Sequence, residues 1–169
     1  MGYVNVTDIC QFVPPSLIQK TLGTWTPTVA SNLITDVRTA ADAAFDLLIP
    51  LVLPGSEVAL QGAKIKSVDV WYIIGTAAAD DFATVEVDKV TLPVDGTAPT
   101  GAAVSSTCDA AHDTAAERLA VDEHKMTVTI TAPAFVEKGA AYYLHLNVDA
   151  AATTVFSIVG AQVNYTLRL

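Results

Sequence analysis

The sequence predicts an all-β protein: an antiparallel jelly-roll or Greek-key β-sandwich of about seven or eight strands with an N-terminal arm. Short segments rich in Val, Ile, Thr and aromatic residues recur with period-two alternation. Turns rich in Pro, Gly, Asp and Ala separate them, and no long amphipathic helix interrupts the series. At 169 residues the chain has the size of one domain. Folding at this length hides roughly 70% of the unfolded surface, so neither a disulfide nor a metal is needed to supply the core.

Residues 1–24 differ in character from the rest of the chain. Pro14-Pro15 breaks any regular element, and Ile9, Phe12, Val13, Leu17, Ile18 and Leu22 are apolar without clean alternation. A segment this apolar is expected to dock, either on its own sandwich or on a neighbour, and an ordinary first strand is the alternative. The sandwich proper then spans 25–169. Trp25, Thr26, Thr28 and Val29 open it with a β-prone stretch beside a proline. Residues 44–53 are a continuous apolar run containing Pro50, which predicts an edge strand or a bulge. Residues 64–74 give the clearest alternation. Val68, Val70, Tyr72 and Ile74 share one face with Lys66 at its rim, and Ser67, Asp69 and Trp71 share the other. Gly75 ends the strand.

Four more strands are expected, at 82–92, 125–131, 141–148 and 154–167. In the second of these, Met126, Val128 and Ile130 alternate with Thr127, Thr129 and Thr131, as in a half-buried antiparallel strand. In the third, Tyr142, Leu144, Leu146 and Val148 oppose Tyr143, His145 and Asn147. The last is long enough to bend or bulge near Gly160. The connection over 93–123 reads as a long loop.

Apolar residues make up 51% of the chain and charged residues only 16%, against roughly 25% charged in ordinary soluble domains. The longest apolar stretch, residues 47–53, is broken by Pro50 and falls far short of the ~20 residues a spanning helix needs. Membrane insertion is therefore not expected. The shortage of charge predicts surface buried against other chains. Net charge is −9 and no two of the nine Lys and Arg are adjacent, which argues against nucleic acid as a partner. Cys10 and Cys108 form no CxxC pair, so spacing does not decide whether they meet. Residues 1–5 lack the basic and apolar regions of a signal peptide, so synthesis in a cytoplasm with both thiols reduced is the expectation.

Little in the sequence points to catalysis. His112, His124 and His145 make no HxH or HExxH pattern, and no GxSxG, P-loop or GxGxxG is present. If residues 108–117 were helical, Cys108 and His112 would share a face, and Asp109 and Asp113 another, a set that would bind a divalent cation. A solvated acidic loop is the plainer expectation. His145 reads as a hydrogen-bonded sandwich histidine, and His124 as an exposed strand start. Asp80-Asp81 reads as a polar hairpin tip. The expectation is a protein that is no enzyme, with no catalytic residue, cofactor or metal. Trp71 and Tyr143 lie off the main core stripe, where they would cover a second core, a subunit contact or a ligand face.

Several stretches carry a resemblance: Gly23-Thr24-Trp25-Thr26-Pro27, Leu60-Gln61-Gly62-Ala63-Lys64-Ile65 leading into Val68-Asp69-Val70-Trp71-Tyr72, His112-Asp113-Thr114-Ala115, and Gly160-Ala161-Gln162-Val163-Asn164-Tyr165. Their order, over about 23–169, resembles small β-sandwich structural proteins of tailed bacteriophages and prophages. That resemblance implies a virion component made in the host cytoplasm: a capsid decoration or cement protein, or a tail or fibre subunit. The implied partners are copies of itself, with a trimer as the expected stoichiometry, and other virion proteins such as a major capsid protein. Phe12, Val13, Leu17 and Ile18 are the expected contacts, with Trp25 as anchor. The alternative is a β-sandwich module that recognises glycan or a cell-surface receptor through loops around 76–81, 93–123 and 149–153.

Overall fold

Alternating side chains give each strand one apolar face, and two sheets facing each other are the simplest way to bury it. The computed structural model describes residues 6–53 and 62–168. Residues 1–5 of the expected arm, and Leu60 and Gln61 of the resembling stretch, lie outside the described residues. The chain runs β1 (Val6–Val13), a 3-10 turn (Pro15–Leu17), β2 (Gln19–Lys20), β3 (Trp25–Ala30), β4 (Leu33–Arg38), β5 (Ala43–Pro50), β6 (Ala63–Gly75), β7 (Asp81–Thr91), β8 (Thr100–Val104), β9 (Ser106–Cys108), α1 (Ala115–Arg118), β10 (Asp122–Ile130), β11 (Ala140–Ala150) and β12 (Val155–Arg168).

Eight of these strands pair as nested antiparallel partners: β4 with β12, β5 with β11, β6 with β10 and β7 with β8. Rolled up, that nest puts β4-β12-β6-β10 in one sheet and β5-β11-β7-β8 in the other, which is the jelly roll the strand pattern predicts. Four short strands extend it. β3 and β9 lie at the two ends of the larger sheet, β2 lies at the edge of the smaller one, and β1 pairs with β12 beyond the point where β4 leaves it. The connection over 93–123 thus contains β8, β9 and α1. Their half-exposed faces lack the alternation that marks a strand in sequence.

Between the sheets, Phe45, Leu47, Ile49, Leu144, Leu146 and Val148 meet Val68, Val70, Met126, Val128, Ile158 and Val163, all fully buried. Pro50 is the last residue of β5, past the β2 pairing. The strand is covered by β2 only at Leu47 and Leu48, so Pro50 falls where β5 is again an edge, as its proline predicts.

Two bulges set the phase of the larger sheet. One falls at Val159–Gly160 on β12 and the other at Lys66 on β6. Each adds a residue, so the strands return to register while the apolar faces stay inward. Lys66 is turned outward by its bulge, where Asp8 pairs with it at 3.2 Å, and not to the rim of the core stripe. A third irregularity, opposite Asn147–Asp149, frees carbonyls on β7. The buried Arg118 answers them, with Nε donating to Phe82 O at 2.8 Å and Nη2 to Ala83 O at 3.4 Å.

The segment before Trp25 packs against this chain's own sandwich. Val13 and Ile18 are buried in the common core, while Phe12 and Leu17 are 54% and 62% exposed. Trp25 stands edge-on to Phe45 at 5.4 Å and to Phe156 at 6.3 Å, and its Nε1 donates to Leu22 O. Of the five residues expected to meet a partner, Val13 and Ile18 are consumed by the interior because β1 and β2 join the sheets. Cys10 on β1 and Cys108 on β9 are both free thiols. Their strands lie four spacings apart in one sheet, about 19 Å, so they do not pair with each other.

Candidate functional site

Among the described residues no layer covers the outward face of the seven-stranded sheet, and its side chains form rows across strands. In one row Phe12, Gln162, Asp69 and Thr127 are successive register partners on β1, β12, β6 and β10. The next row holds Cys10, Asn164, Ser67 and Thr129. On the other side lies a row of Gly160, Trp71 and Lys125.

Glycine at 160 is what lets the aromatic side chains approach. A Cβ there would fall 2.6 Å from Phe12 Cζ and 2.8 Å from Val13 O. The Phe12 ring therefore lies over the glycine, and Trp71 stands opposite that glycine on the neighbouring strand. Two half-exposed aromatic side chains thus flank a bare strip of backbone. Lys125 Nζ lies 5.6 Å from the Trp71 ring centroid, a cation–π contact from a mostly exposed side chain.

Beside these rings a polar ladder is tied together. Gln162 Nε2 donates to Asn164 Oδ1 at 2.9 Å, and Asn164 Nδ2 donates to Asp69 Oδ2 at 3.0 Å and to Ser67 Oγ at 3.2 Å. Thr127 Oγ1 donates to Asp69 Oδ1 at 2.6 Å. Each group is thereby oriented, with Gln162 and Asn164 partly exposed and Asp69 buried beneath them. A groove of about 300 Å³ runs along the lower end, lined by Asp8, Cys10, Lys66, Ser67, Gln162 and Asn164 among others. A second, of about 180 Å³, opens above Trp71 between Leu33, Ile73, Val159 and His124.

His124 is half-buried and not the exposed residue its position at a strand start predicts. Its ring stacks on Tyr72 at 4.6 Å, its Nδ1 lies 3.2 Å from His112 Nε2, and its Nε2 lies 3.0 Å from Ala120 O. His112 Nδ1 in turn meets Asp109 Oδ1 at 2.9 Å. Burial alone would raise the Asp109 carboxyl, but the Thr127 N–H, His112 and the Ala111 N–H overcome it and hold the group below its ordinary value. Burial also pushes the Tyr72 hydroxyl well above its usual range, and that hydroxyl donates to Arg118 O at 3.0 Å. Residues 108–113 are a strand end and a turn, with helix only over Ala115–Arg118. The Cys108–His112 helical face that would bind a cation is therefore not formed, and Asp109 serves as a hydrogen-bond hub.

The smaller sheet presents a different surface. Tyr143, His145 and Asn147 point outward from β11 beside Asp46 of β5 and Glu86 and Asp88 of β7. His145 Nε2 lies 2.9 Å from Asp46 Oδ1, as expected of a hydrogen-bonded sandwich histidine. Hydrogen bonds from His145 and then Asn147 lower the Asp46 carboxyl from its ordinary value. Burial, followed by the like charge of Glu86, raises that of Asp88.

Of the sequence candidates, Phe12 and Trp71 share one face, Tyr143 and His145 the other, and Trp25 belongs to the core edge. The loops expected to bind glycan, 76–81, 93–123 and 149–153, contain no Phe, Tyr or Trp. Backbone and side-chain bonds tie the first and last together, Asp80 N to Asp149 O and Thr154 Oγ1 to Ala78 O. The aromatic platform is on strands instead.

No family model and no curated protein matches the chain. Among solved structures it is similar to the enzymatically active domain of tailspike protein 4 of bacteriophage CBA120, at 8% identity and a TM-score of 0.37 over 93% of this chain and 19% of that one. It is also similar to TmCBM61 in complex with β-1,4-galactotriose, at 13% identity and a TM-score of 0.33 over 96% of this chain and 88% of that one. A structure of carbohydrate-binding modules from the β-sandwich superfamily gives 12% identity and a TM-score of 0.37 over 92% and 55%. The chain spans about a fifth of the tailspike domain and about half of that last chain. At these scores the likeness transfers no residue and no activity.

Proposed function

We propose that this chain is a non-catalytic binding module that takes a glycan on the Phe12–Trp71 face of its seven-stranded sheet. One observation carries the reading: the exposed Phe12 ring and the partly exposed Trp71 flank Gly160 beside the tied ladder of Gln162, Asn164 and Asp69. A sugar ring offers C–H groups on its faces and hydroxyls around its rim. It therefore calls for an apolar plate next to fixed donors and acceptors. Because the ladder is already ordered by its own hydrogen bonds, little side-chain freedom is lost when a ligand docks.

A glycan array followed by calorimetric titration of any hit tests this. Trp71→Ala should weaken the interaction about tenfold or more, which corresponds to about 1.4 kcal/mol, with circular dichroism showing that the sandwich is still folded at the assay temperature. An array without a single hit for the folded protein, or a Trp71→Ala variant that binds like the parent, overturns it.

A second reading is a subunit of a phage capsid surface or tail that docks on copies of itself and on other virion proteins. It is favoured by the tip of the β3–β4 hairpin, where Val29, Leu33 and Ile34 are 72%, 43% and 58% exposed.

A further inference from the structure

The outward face of the five-stranded sheet holds a cluster that glycan binding does not use. His145 on β11 is the register partner of Glu86 on β7, and Asp88 lies two residues further along the same face. A second layer orients the imidazole. Asp46 Oδ1 lies 2.9 Å from His145 Nε2, and an ionised carboxylate only accepts, so Nε2 carries a proton. Asp46 is itself held by Asn147 Nδ2 at 2.7 Å and Thr21 Oγ1 at 3.1 Å, and its own N–H is bonded to Thr21 Oγ1 at 2.9 Å. The remaining ring nitrogen, Nδ1, is aimed at Glu86 Oε1 at 3.5 Å and Asp88 Oδ2 at 3.7 Å. In the neutral imidazole these are three lone-pair donors within 4.8 Å of one another. Among the described residues no Lys or Arg pairs with Glu86 or Asp88.

We propose that His145, Glu86 and Asp88 bind one divalent transition-metal ion of the zinc class, with Asp46 as the residue that positions His145. The three ligand atoms lie within 4.8 Å of one another. A tetrahedral ion with arms of about 2.0–2.1 Å has edges of about 3.3 Å between ligands, close to the two separations from Nδ1. A mixed set of one imidazole and two carboxylates suits zinc or manganese, whereas calcium and magnesium take oxygen-only sets. Half-buried side chains on two adjacent strands leave the outward coordination positions to water. The Asp46–His145 bond is the outer-shell carboxylate contact that fixes a ligating imidazole in most protein metal sites.

Full-length protein stripped with EDTA and moved into metal-free buffer should take up Zn2+ at one equivalent by calorimetry, with a melting temperature that rises with Zn2+ concentration. The Glu86→Gln/Asp88→Asn double variant, altered only at partly exposed positions, should keep its fold and lose this uptake. Asp46→Asn should weaken it about tenfold or more. In nitrogen NMR the His145 Nδ1 signal should move on adding Zn2+ at constant pH. Absence of uptake, uptake undiminished in the double variant, or an Nδ1 signal that responds to pH and not to Zn2+ would each overturn the proposal, leaving a proton between the three groups. None of these readouts depends on a glycan.

Discussion

Gly160 shows how one residue ties fold to site. Its φ of +143° belongs to a region that side chains with a Cβ avoid. The same absent Cβ makes room for the Phe12 ring and the Val13 carbonyl. Gly160→Ala therefore meets two obstacles at once: backbone strain of about 1–3 kcal/mol, and a backbone carbonyl that cannot swing aside as a ring can. Urea unfolding of the variant should show a loss of about 2 kcal/mol or more. Phe12→Ala in the same chain should not restore it, because the Val13 oxygen is still 2.8 Å from the new methyl. Full rescue by Phe12→Ala would mean that ring crowding alone makes the glycine necessary. Trp71 behaves differently. Its indole is partly exposed and lies beside Lys125, so its loss should register in ligand binding as well as in stability.

At the scale of elements, the β3–β4 hairpin is the part of the sandwich with least hold on the rest. Its turn, Ser31-Asn32, has positive φ at both central residues, 50° and 67°, the two-residue geometry that matches strand twist. β4 pairs with β12 only over Asp36–Arg38, after which β1 takes the place beside β12. Among the described residues nothing pairs with either outer edge of the tip, where Val29, Leu33 and Ile34 are exposed. If the chain assembles with copies of itself, this tip is the element to do it. The double variant Val29→Lys/Ile34→Lys should then reduce the mass seen by light scattering to one chain without lowering the melting temperature. A protein already monomeric at high concentration, or an oligomer untouched by the two lysines, removes the hairpin from that role.

Element by element, the inner strands were legible because alternation is local. The core stripe of β6 and β10, the bend near Gly160 and the placement of Trp71 off that stripe can all be read from neighbouring residues. Long-range pairing cannot. That Phe12 shares a face with Trp71 depends on β1 choosing β12, some 150 positions away. The Lys66 bulge exists only to keep β6 in step with β12. Likewise nothing near Arg118 in sequence announces the β7 carbonyls it satisfies, and the His145 cluster forms only when β5, β7 and β11 lie side by side.

For the whole molecule, the charge balance and the buried hydrogen bonds pull in opposite directions as pH falls. At neutral pH the net charge of −9 disfavours the compact state slightly through self-repulsion, which mild acid relieves. Asp109 acts against that relief. Its folded-state value is depressed below the ordinary 3.8, so its contribution is fully present above that value and is lost as pH falls through the folded value. The loss is felt along one edge of the larger sheet, because Asp109 holds Thr127 N on β10 at 2.6 Å, Ala111 N at 3.0 Å and the buried His112 ring. Asp109→Asn keeps the shape but replaces one accepting oxygen with an amino group. At neutral pH it should destabilise by about 1–3 kcal/mol, the consequence of leaving one half-buried donor without its acceptor. Denaturant midpoints measured from pH 7 down to pH 2 should show the two proteins far apart at neutrality. They should draw together only as pH falls from the ordinary carboxylate value through the depressed folded value, below which the native aspartate is itself protonated. A gap that stays constant over the whole range would mean that the charge on Asp109 contributes nothing, and that its place in the turn matters only through shape.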